Sequence, residues 1–216
     1  RRCSTVMSCR GPDREAGGER SPRLIARTPG ATLARMNETA PLPGLSSSFI
    51  PVDDTADPRL EPYTGLRERD LRGHGDRFVA EGEVVLRVLL GASRFEVESI
   101  LVTQRRVAAL APLLPTAPAG VKVMVASQGV MDGVVGFPIH RGVLAIGRRL
   151  PEPTAGELLR SLPAGALVLG LVGVANHDNV GGIFRNAAAF GVGAVLIDGA
   201  TCDPLYRKAI RVSVGG

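Results

Sequence analysis

One stretch constrains this chain more than any other. "ALVLGLVGVANHDNVGGIFRNAAAFGVGAVLID", residues 166–198, sets an apolar run (166–175) before four polar residues, a glycine pair, an alanine-rich segment and a second apolar run (194–198). The runs are strand-sized, and the segment between them predicts a helix over 180–190. Strand, helix and strand in that order give two parallel strands joined by a right-handed crossover. Ligands of such units bind beyond the carboxyl ends of the strands. Here that end carries Asn176, His177, Asp178 and Asn179.

The 216 residues are enough for one large domain or two small ones. No apolar run approaches the ~18 residues of a membrane span. A net charge of +5 suggests a nucleic-acid partner, but residues 1–35 alone hold eight arginines against three acids. The remaining 181 residues are neutral in sum, so any basic surface has to come from local arrangement. Cys3 and Cys9 lie in the leader and Cys202 alone lies in the body. That rules out a disulfide framework or a cysteine-built metal site, and it fits a reducing cytoplasm.

Residues 1–35 lack hydrophobic periodicity, and no apolar core of a secretory signal is present. Met36 then reads as a natural start. Residues 1–62 are expected to be a disordered leader and a Pro-rich linker. From Tyr63 the pattern turns α/β. "RFVAEGEVVLRVLL" (77–90) has helical spacing at Phe78, Val85 and Leu89, whereas 97–103, 121–126 and 142–147 are strand-like. This gives a first domain over 63–149. A connection over 150–163 holds a short helix with Thr154 as N-cap, and a second unit runs over 164–216. The second unit has only about fifty residues, too few to cover both faces of a parallel sheet, so it is expected to be part of a larger domain.

Three readings compete for the polar stretch. The first is an ordinary βαβ turn with capping Asn and Asp and a solvated Arg185. The second is a dinucleotide turn. The glycine fingerprint for it is missing, however, because Gly170 and Gly173 fall inside the strand and only Asp198 is placed to hold a ribose. The third is a site: Arg185, embedded among Ile183, Phe184 and Ala187–Ala189, should be paired with a carboxylate or a phosphate.

"NVGGIFRNAAAFGVGAVLID" resembles the first signature of the SpoU-type (TrmH-like) RNA 2′-O-ribose methyltransferases of the SPOUT superfamily. Asn179, Gly181, Arg185, Ala187, Phe190 and Gly191 fall on that signature. "CDPLYRKAIRVSVGG" resembles the segment that follows it. "RFVAEGEVVLRVLL" and "GVLAIG" resemble the L30e-like domain that precedes the catalytic one. The resemblance implies an α/β fold: an L30e-like substrate-binding domain and an incomplete trefoil-knot methyltransferase domain. It implies S-adenosylmethionine as cofactor, rRNA or tRNA as substrate, and a homodimer.

In that family a methyl group passes to a ribose 2′-hydroxyl. Arg185 carries the position considered catalytic, and Asn179 would orient the sugar or the arginine. A guanidinium stays charged, with a pKa above ~12, so its workable role is to clamp the phosphate beside the target ribose. Arg207, Lys208 and Arg211 are candidates for RNA contact, with Ser213 lining the site; a solvated helix face is the other reading. Arg72 and Arg77, with Arg69 and His74 around "GHG", are candidates in the first domain. Phe78 reads as core and His140 as a loop residue. The family's Asn-Glu-Gly and Ser-Leu-Asn signatures, which build most of the cofactor pocket, do not occur within residues 1–216. This stretch alone is therefore expected to be inactive. An RNA-binding protein without catalysis, keeping the L30e-like module, is the alternative. Two tyrosines and no tryptophan give little for base stacking.

Overall fold

The computed structural model describes residues 3–7, 49–64, 76–91 and 93–216. It holds a five-stranded and a three-stranded sheet. The larger sheet contains β2 (Phe49–Val52), β3 (Arg77–Glu81), β4 (Glu96–Thr103), β5 (Lys122–Ala126) and β6 (Val143–Arg148), in the order β2-β5-β4-β6-β3. β2, β5 and β4 are parallel; β6 runs antiparallel to both β4 and β3. Helices α1 (Glu83–Gly91), α2 (Gln104–Leu110) and α3 (Gln128–Val135) fill the connections. Ile100, Leu101, Val102, Val143, Leu144 and Ala145 are fully buried, as expected of strands covered on both faces.

The smaller sheet has the order β1-β8-β7, from β1 (Cys3–Met7), β7 (Val168–Leu171) and β8 (Ala194–Asp198). β7 and β8 are parallel, as the sequence pattern required. Helix α4 (Ala155–Ser161) precedes them, and its cap is the expected one. The Thr154 hydroxyl accepts from the Glu157 N–H while the Glu157 carboxylate accepts from the Thr154 N–H, a reciprocal capping box.

Two sequence expectations need correction. Residues 77–90 are not one helix. Arg77–Glu81 is a strand, and α1 begins only after Gly82, whose φ of +101° suits glycine. Phe78 mimicked helical spacing because the strand brings it into the same core as Val85 and Leu89 on α1. Nor are residues 1–62 a leader and linker throughout. Cys3–Met7 pairs antiparallel with the edge of β8. Phe49–Val52 joins the large sheet beside β5, and Pro58–Tyr63 forms a 3₁₀ helix. An unpaired strand edge recruits extended backbone whatever its composition, so composition misled here. Leu60 and Tyr63 are fully buried, and the Tyr63 hydroxyl is bonded to Ser99 Oγ at 2.8 Å.

Candidate active site

Helix α5 (His177–Ala189) follows β7, and α6 (Arg207–Ser213) follows β8. The N-cap of α5 is Asn176, whose Oδ1 accepts from the N–H groups of Asp178 and Asn179. The helix therefore starts earlier than the pattern suggested, and Asn179 is not the cap. Its exposed side chain is left free of that duty.

Arg185 also departs from expectation. Its apolar neighbours suggested an embedded, paired guanidinium. Instead Val180, Gly181, Phe184 and Ala187 face inward, and Arg185 is exposed with no recorded ion pair among the described residues. The apolar residues beside it in sequence belong to the opposite face of the helix. An exposed, unpaired arginine is free to fork onto an incoming anion.

The glycine pair divides its labour. A Cβ on Gly181 would stand 2.5 Å from the Ala209 carbonyl oxygen and 2.8 Å from Val212 Cβ, so Gly181 is where α5 and α6 touch. A Cβ on Gly182 would meet nothing within 4 Å. Gly181→Ala is expected to destabilise the fold by about 1–3 kcal/mol, because backbone cannot yield as a side chain can. Gly182→Ala is expected to stabilise it by up to ~1 kcal/mol through helix propensity. Thermal unfolding of the two variants should separate them in opposite directions.

The remaining sequence candidates scatter. Arg207 is partly buried, its Nη1 2.5 Å from the Glu81 carboxylate and its guanidinium 4.9 Å above the Phe137 ring. Its charge is met within the protein by Glu81, where the sequence suggested a free cation for RNA. Lys208 pairs with Asp178 on α5 at 2.9 Å; both are partly exposed, so that pair is weak and open to competition. Arg211 is half-buried with no recorded partner among the described residues. Ser213 is buried and donates to the Ile210 carbonyl within its own helix. Arg77 is tied to Glu98 at 2.9 Å, and Arg148 reaches the same carboxylate. Arg72, Arg69 and His74 lie outside the described residues.

Asp198 does not wait for a ribose. Its carboxylate accepts from the Thr201 hydroxyl and N–H and from the Gly173 N–H, stapling the end of β7 to the turn after β8. These bonds hold its pKa below the usual carboxylate range, the Thr201 hydroxyl foremost. His177 stacks against Tyr206, ring centroids 4.0 Å apart, which joins the starts of α5 and α6. That contact was not legible from residues 29 positions apart.

The segment built this way, residues 166–216, matches the SpoU rRNA Methylase family. Over these residues the chain is similar to the SpoU family. An uncharacterized tRNA/rRNA methyltransferase of Mycobacterium bovis is 42% identical over 169 residues, 76% of this chain and 56% of that protein. The 23S rRNA (guanosine-2′-O-)-methyltransferase RlmB of Acinetobacter baylyi is 34% identical over 102 residues, 46% of this chain and 41% of that protein. The crystal structure of an AdoMet-bound rRNA methyltransferase from Sinorhizobium meliloti shares the fold, with a TM-score of 0.59 at 21% identity over 78% of this chain and 61% of that one. The chain thus spans about half the length of the relatives it matches. These relatives are methyltransferases by name. Among the described residues no helix is long and apolar enough to cross a membrane.

Proposed function

We propose that the protein transfers a methyl group from S-adenosylmethionine to a ribose 2′-hydroxyl of rRNA or tRNA. The observation that carries this reading is Arg185, exposed and unpaired on α5 inside the SpoU-matching segment, with the bare surface of Gly182 beside it. The name of the Acinetobacter relative supports the ribose hydroxyl as acceptor and that of the Sinorhizobium structure supports the cofactor.

In this reading Arg185 holds the phosphate next to the target ribose in a two-pronged hydrogen bond. That fixes the sugar and places a phosphate oxygen or a water to take the hydroxyl proton. Asn179 orients the sugar from the first turn of α5. Arg211 adds positive charge on the neighbouring helix, with Lys208 once Asp178 is displaced. The described residues do not by themselves compose an adenosylmethionine pocket. At the strand ends the Asp198, Thr201 and Asn176 side chains are already bonded within the protein. The five-stranded unit, in this reading the L30e-like module, binds the substrate RNA. A homodimer completes the picture, with exposed Leu167, Val172 and Phe190 as apolar surface for a second copy.

The test is methyl transfer from labelled S-adenosylmethionine to unmodified rRNA and tRNA transcripts, by this chain and by the protein expressed from its complete reading frame. Digestion to nucleosides and mass spectrometry should show a 2′-O-methylated ribose. The 216-residue chain alone is expected to be inactive. Label on a base, or no transfer by the protein from the complete frame, would refute the proposal.

A further inference from the structure

The carboxyl-terminal end of the large sheet is electrically divided. At the β2 edge the chain continues into Asp53, Asp54 and Asp57. At the opposite half, where β4 and β3 end and β6 begins, the charges are basic. Arg105 and Arg106 begin α2 directly after β4, and His140 and Arg141 lead into β6. Arg87 stands one turn along α1. The acids on this side are spoken for. Glu83 takes Arg106 at 2.7 Å and Arg87 at 3.1 Å. Glu81 takes Arg207. Asp132 accepts from the Ile139 N–H and from Gln128. Arg105 donates only to the neutral Gln128 amide oxygen, and Arg141 has no recorded ion pair among the described residues. Both are exposed.

This basic half lies beside the candidate site. The Arg141 guanidinium is 3.0 Å from where a Cβ on Gly82 would stand, and the residue before Gly82 is Glu81, which holds Arg207 of α6. The loop that carries His140 and Arg141 begins with Phe137, the ring beneath Arg207. Lys208 follows Arg207 and touches Asp178, and Arg185 lies on the same face of α5 as Asp178, seven residues on. Basic groups therefore run from Arg105 and Arg141 across the start of α6 to Arg185, with Arg207 and Lys208 between them paired and the other three without an ion pair among the described residues. Arg77, which the sequence singled out, begins β3 at its other end and is already paired.

We propose that Arg105 and Arg141 grip the phosphodiester backbone of the substrate RNA, so that the RNA enters over the β4-β6-β3 end of the large sheet and runs on to Arg185. The proposal rests on the RNA-methyltransferase reading above. Two guanidiniums, one on the first turn of α2 and one on the loop before β6, fix the path of a backbone and read no base, which suits positioning rather than sequence selection.

The test is fluorescence anisotropy of a labelled RNA hairpin titrated with this chain over a range of salt. Three chains are compared: wild type, the double variant Arg105→Ala/Arg141→Ala, and the control Arg160→Ala, which removes one exposed arginine on α4. The double variant should bind about tenfold more weakly at moderate salt, and the slope of log affinity against log salt should fall by roughly 1.5–2, as for two lost phosphate contacts. Arg160→Ala should match wild type. A double variant with the wild-type slope, or an Arg160→Ala loss of equal size, overturns this entry path while leaving the methyltransferase reading in place. A wild-type chain that binds no RNA even at low salt overturns both. Matching thermal melts show that the comparison is between folded proteins.

Discussion

Replacing Arg185 by alanine is expected to lower methyl transfer by the protein from its complete reading frame by about 10²–10³-fold, the usual cost of removing one preorganised donor to a reacting centre. The melting temperature should stay within a degree or two of wild type, because the side chain is exposed and supports nothing within the described fold. Arg185→Lys should recover little, since an ammonium is a point charge and cannot form two parallel bonds to one phosphate. The kinetic split is informative. A clamp formed with the bound ribose should reduce kcat and kcat/KM together, whereas a general RNA-attracting charge should raise KM and leave kcat. An Arg185→Ala enzyme with wild-type kcat would remove Arg185 from the chemistry.

The strand–helix–strand unit was legible because its two periods are clean and its ends are marked by glycine and asparagine. β4, β5 and β6 were legible for the same reason. The site was legible only as a list. Arg185, Asn179, Arg207 and Lys208 are all polar residues on or beside two helices, and sequence carries no sign of which face each occupies. The structure separates them: Arg185 and Asn179 face solvent, Lys208 shares its charge with Asp178, and Arg207 is turned inward. What decides Arg207 is Glu81, 126 residues earlier, and no local pattern announces such a partner. Glu81 itself looked like one more acid in "VAEGEVV". Its burial follows from its place at the end of β3, which was hidden while that segment read as helix. The proposed basic entry surface was missed because its members sit on α2 and on the loop before β6 and come to one end of the sheet only through the strand order β4-β6-β3.

That distant pair carries the second large effect. Glu81 and Arg207 have side-chain exposures of 6% and 12%, and they join α6 to the end of β3. A cavity of about 180 Å³ lies elsewhere in the same junction, lined by Phe78, Val85 and Leu89 from one side and Phe184, Leu205 and Ile210 from the other. The second ion pair across the same junction, Arg149 with Asp203, is more exposed and contributes less. Glu81→Ala would leave a buried guanidinium whose one carboxylate partner is gone. The expected cost is about 3–5 kcal/mol. At roughly 2–4 °C per kcal/mol for a chain of this size, the melting temperature should fall by about 6–20 °C. Arg207→Ala should cost a similar amount, because it strands Glu81 instead. The double variant Glu81→Leu/Arg207→Met should recover much of the loss, since a well-packed apolar pair replaces a buried charged one at little cost. Recovery in the double variant would show that the penalty lies in the stranded charge. Additive losses would show instead that the two residues act separately, and that α6 is held to β3 by its apolar contacts alone. Because α6 also packs on α5 through Gly181, loosening it should disturb the helix that presents Arg185. Glu81→Ala should therefore lose methyl transfer at temperatures well below its own melting point.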